Sequence, residues 1–247
     1  MNAKHICAST ILALTAASHA AIVNISFYGY DQAAQSTPYY SHFSISSDSG
    51  VPGWYGSGDG IPQVVGIVNL YDSGWGFSAT GNSSFHVMTR IDTSPNAPRA
   101  LRSVGWHQYS FSMNTLTNQM QILMDGNVIQ SGAYAQPVNW FMFNFNGFSQ
   151  ESLMDDFVVS YDGNVVYEQG FDAASLDSAW VVTRQDSGGY VTSGDTSNPR
   201  TGVGALALGN RPTGIAFDLR TVPEPSVAFL AVLGAGFGIA RRRRTDR

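Results

Sequence analysis

Few side chains between Ala21 and Thr221 suit acid–base or metal chemistry, and their spacing narrows the options further. Glutamate occurs there only as Glu151 and Glu168. A glycosidic bond is cut by a pair of carboxylates, one attacking or activating water while the other delivers a proton. Glu151, Asp155 and Asp156 stand at i, i+4 and i+5, which does not give two acids on alternate positions of one strand face. Calcium asks for several hard oxygens. Asp155 and Asp156 are the metal candidates, yet neighbours in a strand point to opposite faces, so at most one addresses a given site. Asp125, Asn127, Asp162 and Asn164 are accounted for by turn chemistry. A structural or sugar-bridging Ca²⁺ at Asp155 or Asp156 stays open. His42, His86 and His107 are too scattered for zinc-ligand spacing. No Ser-His-Asp order, phosphate cradle or redox pair is visible. Gly56-Ser57-Gly58-Asp59-Gly60 reads as a flexible loop, because no βαβ unit surrounds it.

Aromatic side chains are the remaining candidates for a site. Tyr39, Tyr40, Trp54, Tyr55, Trp75 and Trp140 lie near turn-rich segments, where rings can form platforms for the apolar faces of sugars. Most Trp and Tyr of a sandwich this size belong to its core or rim. Trp54 and Tyr55, flanked by Gly53 and Gly56, head the candidate glycan contacts, with Tyr39 and Tyr40 behind them.

Strands must position these groups. No stretch between Ala21 and Thr221 sustains apolar residues at helical spacing for three turns, whereas short alternating runs recur. The pattern predicts strands over 22–30, 63–70, 84–91, 106–113, 119–124, 139–145, 156–161, 165–168, 179–183, 205–208 and 213–219. Such a series, broken by Gly, Asp, Asn, Ser and Pro, predicts an all-β antiparallel sandwich or jelly roll. Asp125-Gly126 and Asp162-Gly163 each sit between apolar runs, the preferred dipeptide of a type I′ hairpin. Alternation puts His107, Tyr109, Phe111 and Met113 on one face, so Trp106 either caps its strand or follows a bulge. The stretch 187–204 reads as a long surface loop.

From Ser84 to Val166 the chain resembles the concanavalin A-like (laminin-G-like) lectin and glucanase sandwich. The resemblance rests on Gly105-Trp106-His107 followed by a strand ending in Asp125-Gly126, and on Met154-Asp155-Asp156-Phe157-Val158-Val159-Ser160. It implies a carbohydrate-linked sandwich. The Glu-x-Asp-x-Glu strand of the glucanases in that group is absent, as are the Arg-rich and Gln-x-His strands of the alginate lyases. The expectation is therefore a protein without catalytic residues.

Charge and termini supply the rest. Residues 21–221 hold seven Arg, no Lys and sixteen Asp plus Glu, a net charge of −9. Nucleic acid is a poor partner for such a surface, because its affinity rests on neutralised phosphates. The single cysteine, Cys7, lies in an apolar N-terminal segment ending Ser18-His19-Ala20, which reads as a secretory signal over residues 1–20. At the other end Val222, Pro223, Glu224, Pro225 and Ser226 precede an uncharged run, 227–240, and then Arg241, Arg242, Arg243 and Arg244. As a helix the run spans roughly 21 Å, short of the roughly 30 Å of hydrocarbon it must cross, and the arginines would stay cytoplasmic. This block resembles the PEP-CTERM sorting signal of Gram-negative bacteria. That resemblance implies transient membrane anchoring, an exosortase-type processing protease as partner, and delivery to the outer surface or extracellular matrix. The expected organisation is signal peptide 1–20, sandwich 21–211, linker 212–221 and sorting segment 222–247. The expected function is glycan or exopolysaccharide binding, with a purely structural matrix protein or a divergent polysaccharide-degrading enzyme as alternatives.

Overall fold

A computed structural model describes residues 22–32, 40–48, 64–71, 86–94, 97–147 and 150–222. Among the described residues fifteen strands follow in chain order. They are β1 (Ile22–Asp31), β2 (Tyr40–Ser46), β3 (Val64–Tyr71), β4 (His86–Ile91) and β5 (Ala97–Leu101). Next come β6 (Gly105–Asn114), β7 (Gln119–Met124), β8 (Asn127–Ala133), β9 (Trp140–Phe145) and β10 (Glu151–Tyr161). The last five are β11 (Asn164–Gln169), β12 (Trp180–Gln185), β13 (Tyr190–Asp195), β14 (Ala205–Gly209) and β15 (Thr213–Asp218). Two antiparallel sheets result. One runs β13-β14-β10-β1-β6-β7-β8, with β11 continuing beside β10; the other runs β12-β15-β9-β2-β3-β4-β5. The expected all-β sandwich is the observed architecture.

Alternation within strands builds the core. Ile25 and Phe27 of β1, Tyr109 and Phe111 of β6, and Phe43, Phe141 and Phe143 of the facing sheet are fully buried. Their rings interlock across the layers and within one sheet: Phe27 and Phe43 lie 4.6 Å apart across the layers, and Phe43 and Phe143 4.8 Å apart on the neighbouring strands β2 and β9. A second knot gathers Phe157, Phe171, Trp180 and Phe217, with Trp180 and Phe217 5.0 Å apart. Both Asp-Gly hairpins form with positive φ at each central residue, 50° and 78° at Asp125-Gly126 and 48° and 79° at Asp162-Gly163. Trp106 follows no bulge, for β1 and β6 pair without a register shift. It lies on the face opposite Tyr109 and packs its ring on Tyr30 at 5.4 Å.

Several expectations require correction. β2, β5, β8 and β13 have no counterpart among the strand ranges expected from the sequence pattern, although the Asp125-Gly126 hairpin implies a partner strand at β8. β2 contains only Phe43 and Ile45 as buried apolar anchors among Ser and His, and β13 is a polar edge strand broken by Gly194 at φ 76°, so the 187–204 stretch is not a plain loop. The 212–221 stretch is no linker either. β15 lies between β12 and β9, and Phe217 and Ile215 belong to the core. Val222 itself is buried and donates its backbone N–H to Leu219 O, so the sandwich extends to the first residue of the expected sorting motif.

Candidate functional site

Asp155 and Asp156 do not face opposite sides of β10. Ser26 pairs with Val158 and Tyr28 with Asp155, leaving two residues of β10 opposite Phe27 alone, and Asp156 takes φ 48°. That β-bulge re-aims the second carboxylate, and both acids converge on the β13–β14 loop. Asp155 Oδ2 accepts from the N–H groups of Arg200 (3.1 Å) and Thr201 (3.2 Å), while its Oδ1 accepts from Asp156 N–H (2.8 Å). Asp156 binds the Arg200 guanidinium and accepts from Thr201 Oγ1 at 2.7 Å. Arg200 in turn lies over the Tyr28 ring, 3.2 Å from its centroid. Burial pushes the Asp155 carboxyl above its ordinary value, against the backbone bonds that hold it down. These oxygens are occupied by amides, a hydroxyl and a guanidinium, so the pair does not fit Ca²⁺. Among the described residues no group of three or more His, Cys, Asp or Glu could hold a metal.

The same loop reaches a third acid. Ser197 Oγ donates to Glu151 Oε1 (3.2 Å) and Tyr190 Oη to Glu151 Oε2 (2.8 Å). Burial, then the Glu151 carboxylate, raises the Tyr190 phenol, which fixes it as a donor. Gln32 Nε2 donates to Glu151 O at 2.7 Å, and Asn210 Nδ2 to Gly188 O at 2.7 Å. Gln32, Gln150, Glu151, Tyr190 and Asn210 line a polar cleft of about 570 Å³ at the corner where β1 ends and β10 begins. Amides, a carboxylate and one phenol give the cleft both hydrogen-bond donors and acceptors. Tyr190 lies in the stretch that reads as a loop, and no local signal in the sequence joins it to Glu151.

A further constellation has no signature in the sequence. His107 Nδ1 lies 2.8 Å from Asp125 Oδ2, and His107 Nε2 lies 3.0 Å from Ser103 Oγ. Asp125 is oriented by Gln108 N–H at 2.9 Å. The set looks like a nucleophile relay, but Nε2 also lies 3.0 Å from Ser103 O, an acceptor that only an N–H satisfies. Asp125 holds Nδ1, and Nε2 is shared between the hydroxyl and the carbonyl of Ser103. The arrangement clamps the β6 entry to the β7–β8 turn.

Tyr39, Trp54, Tyr55, Pro223, Glu224, Pro225, Ser226 and Arg241 to Arg244 lie outside the described residues; Tyr40 opens β2. Among the described residues no helix is long and apolar enough to cross a membrane. No protein-family model matches the sequence, and no curated protein matches it. Among solved structures the chain is similar to the metal-free carbohydrate recognition domain of Emp46p. The match has 9% identity and a TM-score of 0.32, covering 81% of this chain and 71% of that one. So distant a likeness carries no functional argument.

Proposed function

We propose that this is an exported, non-catalytic protein whose sandwich binds a neutral glycan in the cleft formed by Gln32, Gln150, Glu151, Tyr190 and Asn210. The cleft carries the reading. It offers side-chain amides, a carboxylate and a phenol around one concavity of the size small ligands occupy, roughly 300–1,000 Å³. The −9 charge of residues 21–221 disfavours anionic polysaccharide and leaves neutral sugars as the matching class. The N-terminal segment and the Pro223-Glu224-Pro225 block support export, processing by an exosortase-type protease and delivery to the cell surface or matrix.

A glycan array tests the binding. Saturable binding of a neutral glycan is expected, weakened about tenfold or more by Tyr190→Ala or Glu151→Ala, the loss of roughly 1.4 kcal/mol. If Trp54→Ala or Tyr55→Ala abolishes binding while those two variants do not, the site belongs to the 51–63 stretch instead. A folded protein that binds no glycan would favour the structural-matrix reading. Intact mass of the native protein, beside a Pro223, Glu224 and Pro225 to alanine variant, tests the sorting. The native chain should begin near Ala21 and end near Pro223, and the variant should not be processed.

A further inference from the structure

A second cleft lies where the β4–β5 turn meets β8, about 400 Å³ in volume, with Ile91, Asp92, Ser94, Gln130 and Tyr134 among its walls. Gln130 is only 8% exposed, and its Oε1 has no hydrogen-bond partner among the described residues. Leaving a buried acceptor unmet destabilises a fold, so this oxygen gains from any donor that reaches it. The groups around it are half-committed. Gln130 Nε2 donates to Ser94 Oγ (3.2 Å), which also accepts from Ile91 N–H (3.0 Å), so the Ser94 hydroxyl proton is the one that can turn to a ligand. Asp92 Oδ2 accepts from Ala135 N–H at 3.0 Å, holding a carboxylate at the mouth. Two acceptors and one hydroxyl donor in one concavity, whose floor is closed by the buried Ile91 and Tyr134, match the adjacent hydroxyls at the rim of a pyranose.

Register fixes where this cleft stands relative to the first. Gln130 pairs with Ile122, Ile122 with Phe111, and Phe111 with Ile25 near the start of β1. The first cleft begins at Gln32, just past the end of β1, on the opposite flank of the same sheet. Seven residues along the strand and three strand spacings across it separate Gln130 from Gln32 by roughly 28 Å. A single sugar unit cannot span that gap.

We infer that the chain is divalent, with the Gln130 cleft taking a second neutral pyranose unit, so that one molecule bridges two polysaccharide strands. The inference rests on the proposed function. It predicts cross-linking, because two sites at diagonal corners of a rigid sandwich face different strands rather than consecutive units of one.

The test uses the full processed chain and the host's own matrix polysaccharide, as short fragments for calorimetry and as long chains for turbidity. Two equivalents of fragment should bind per chain, and long chains should cloud. Gln130→Leu with Ser94→Ala should reduce the stoichiometry to one and abolish clouding, with an unchanged melting temperature confirming the fold. Glu151→Ala should likewise leave one equivalent. One equivalent in the unaltered chain, lost in Glu151→Ala and untouched by the Gln130 variant, overturns the second site and keeps the first. Binding of no fragment at all overturns the glycan reading on which both rest.

Discussion

His42 shows how one side chain can govern the response to pH. It sits on β2 beside Asn69 and Asn144 in register, is 4% exposed, and burial lowers its imidazole from the ordinary 6.5 to about 3. The unfolded chain then takes up a proton from pH 6.5 downward that the folded chain refuses until about pH 3. Stability from this residue is present above pH 6.5 and drains away as the pH falls through that window. At about 1.4 kcal/mol per unit, urea midpoints at pH 7 and pH 5 should show His42→Gln losing roughly 2 kcal/mol less than the unaltered chain. Equal losses would mean that His42 is solvated enough to protonate in the folded state. Asp155 runs the other way: its raised carboxyl favours the folded state at low pH, and comparison with the His42 variant separates the two.

Among the elements, the two Asp-Gly hairpins are the places where local sequence alone dictates geometry. Gly126 holds φ 78°, and a Cβ built there meets no heavy atom within 4 Å. Gly126→Ala therefore tests backbone conformation without steric crowding. It should cost about 1 kcal/mol, read as a lower urea midpoint at unchanged m-value. A larger loss, with a changed m-value, would mean that the β7–β8 register itself had slipped. The β10 bulge is a different kind of element. It arises where Asp156 adopts φ 48° and Arg200 and Thr201, some 45 positions away in sequence, receive both carboxylates.

For the whole molecule, the decisive fact is that the chain's late strands enter both sheets. β14 flanks β10 in one sheet, and β15 is inserted between β12 and β9 in the other. The ion pair of Asp31 with Arg102, 2.6 Å long and buried, ties the end of β1 to the crossover from β5 into β6. Residues 21–222 should accordingly give a cooperatively melting protein. Residues 21–211, the expected bounds of the sandwich, should not, because they lack Ile215, Phe217 and the hydrogen bonds of β15 to both neighbours. Circular dichroism melts of the two chains make the comparison. A cooperative melt from the shorter one would remove β15 from the folding unit.

Local signals carry the fold class. Period-two burial in β1, β6 and β7 and the positive-φ demand of Asp-Gly turns are properties of neighbours in sequence, and both are legible in the order of residues alone. Strands such as β2 and β13 are not, since their few apolar residues become a pattern only when a facing sheet covers one side. The cleft is hidden for the same reason. Gln32, Glu151, Tyr190 and Asn210 are brought together by strand pairing and by a side-chain bond, Tyr190 to Glu151, across 39 positions. The acids at 155 and 156 give the converse lesson. Their adjacency suggests a choice of faces, and a bulge together with a distant loop decides that both serve as anchors, because buried carboxylates must find donors wherever the chain can bring them.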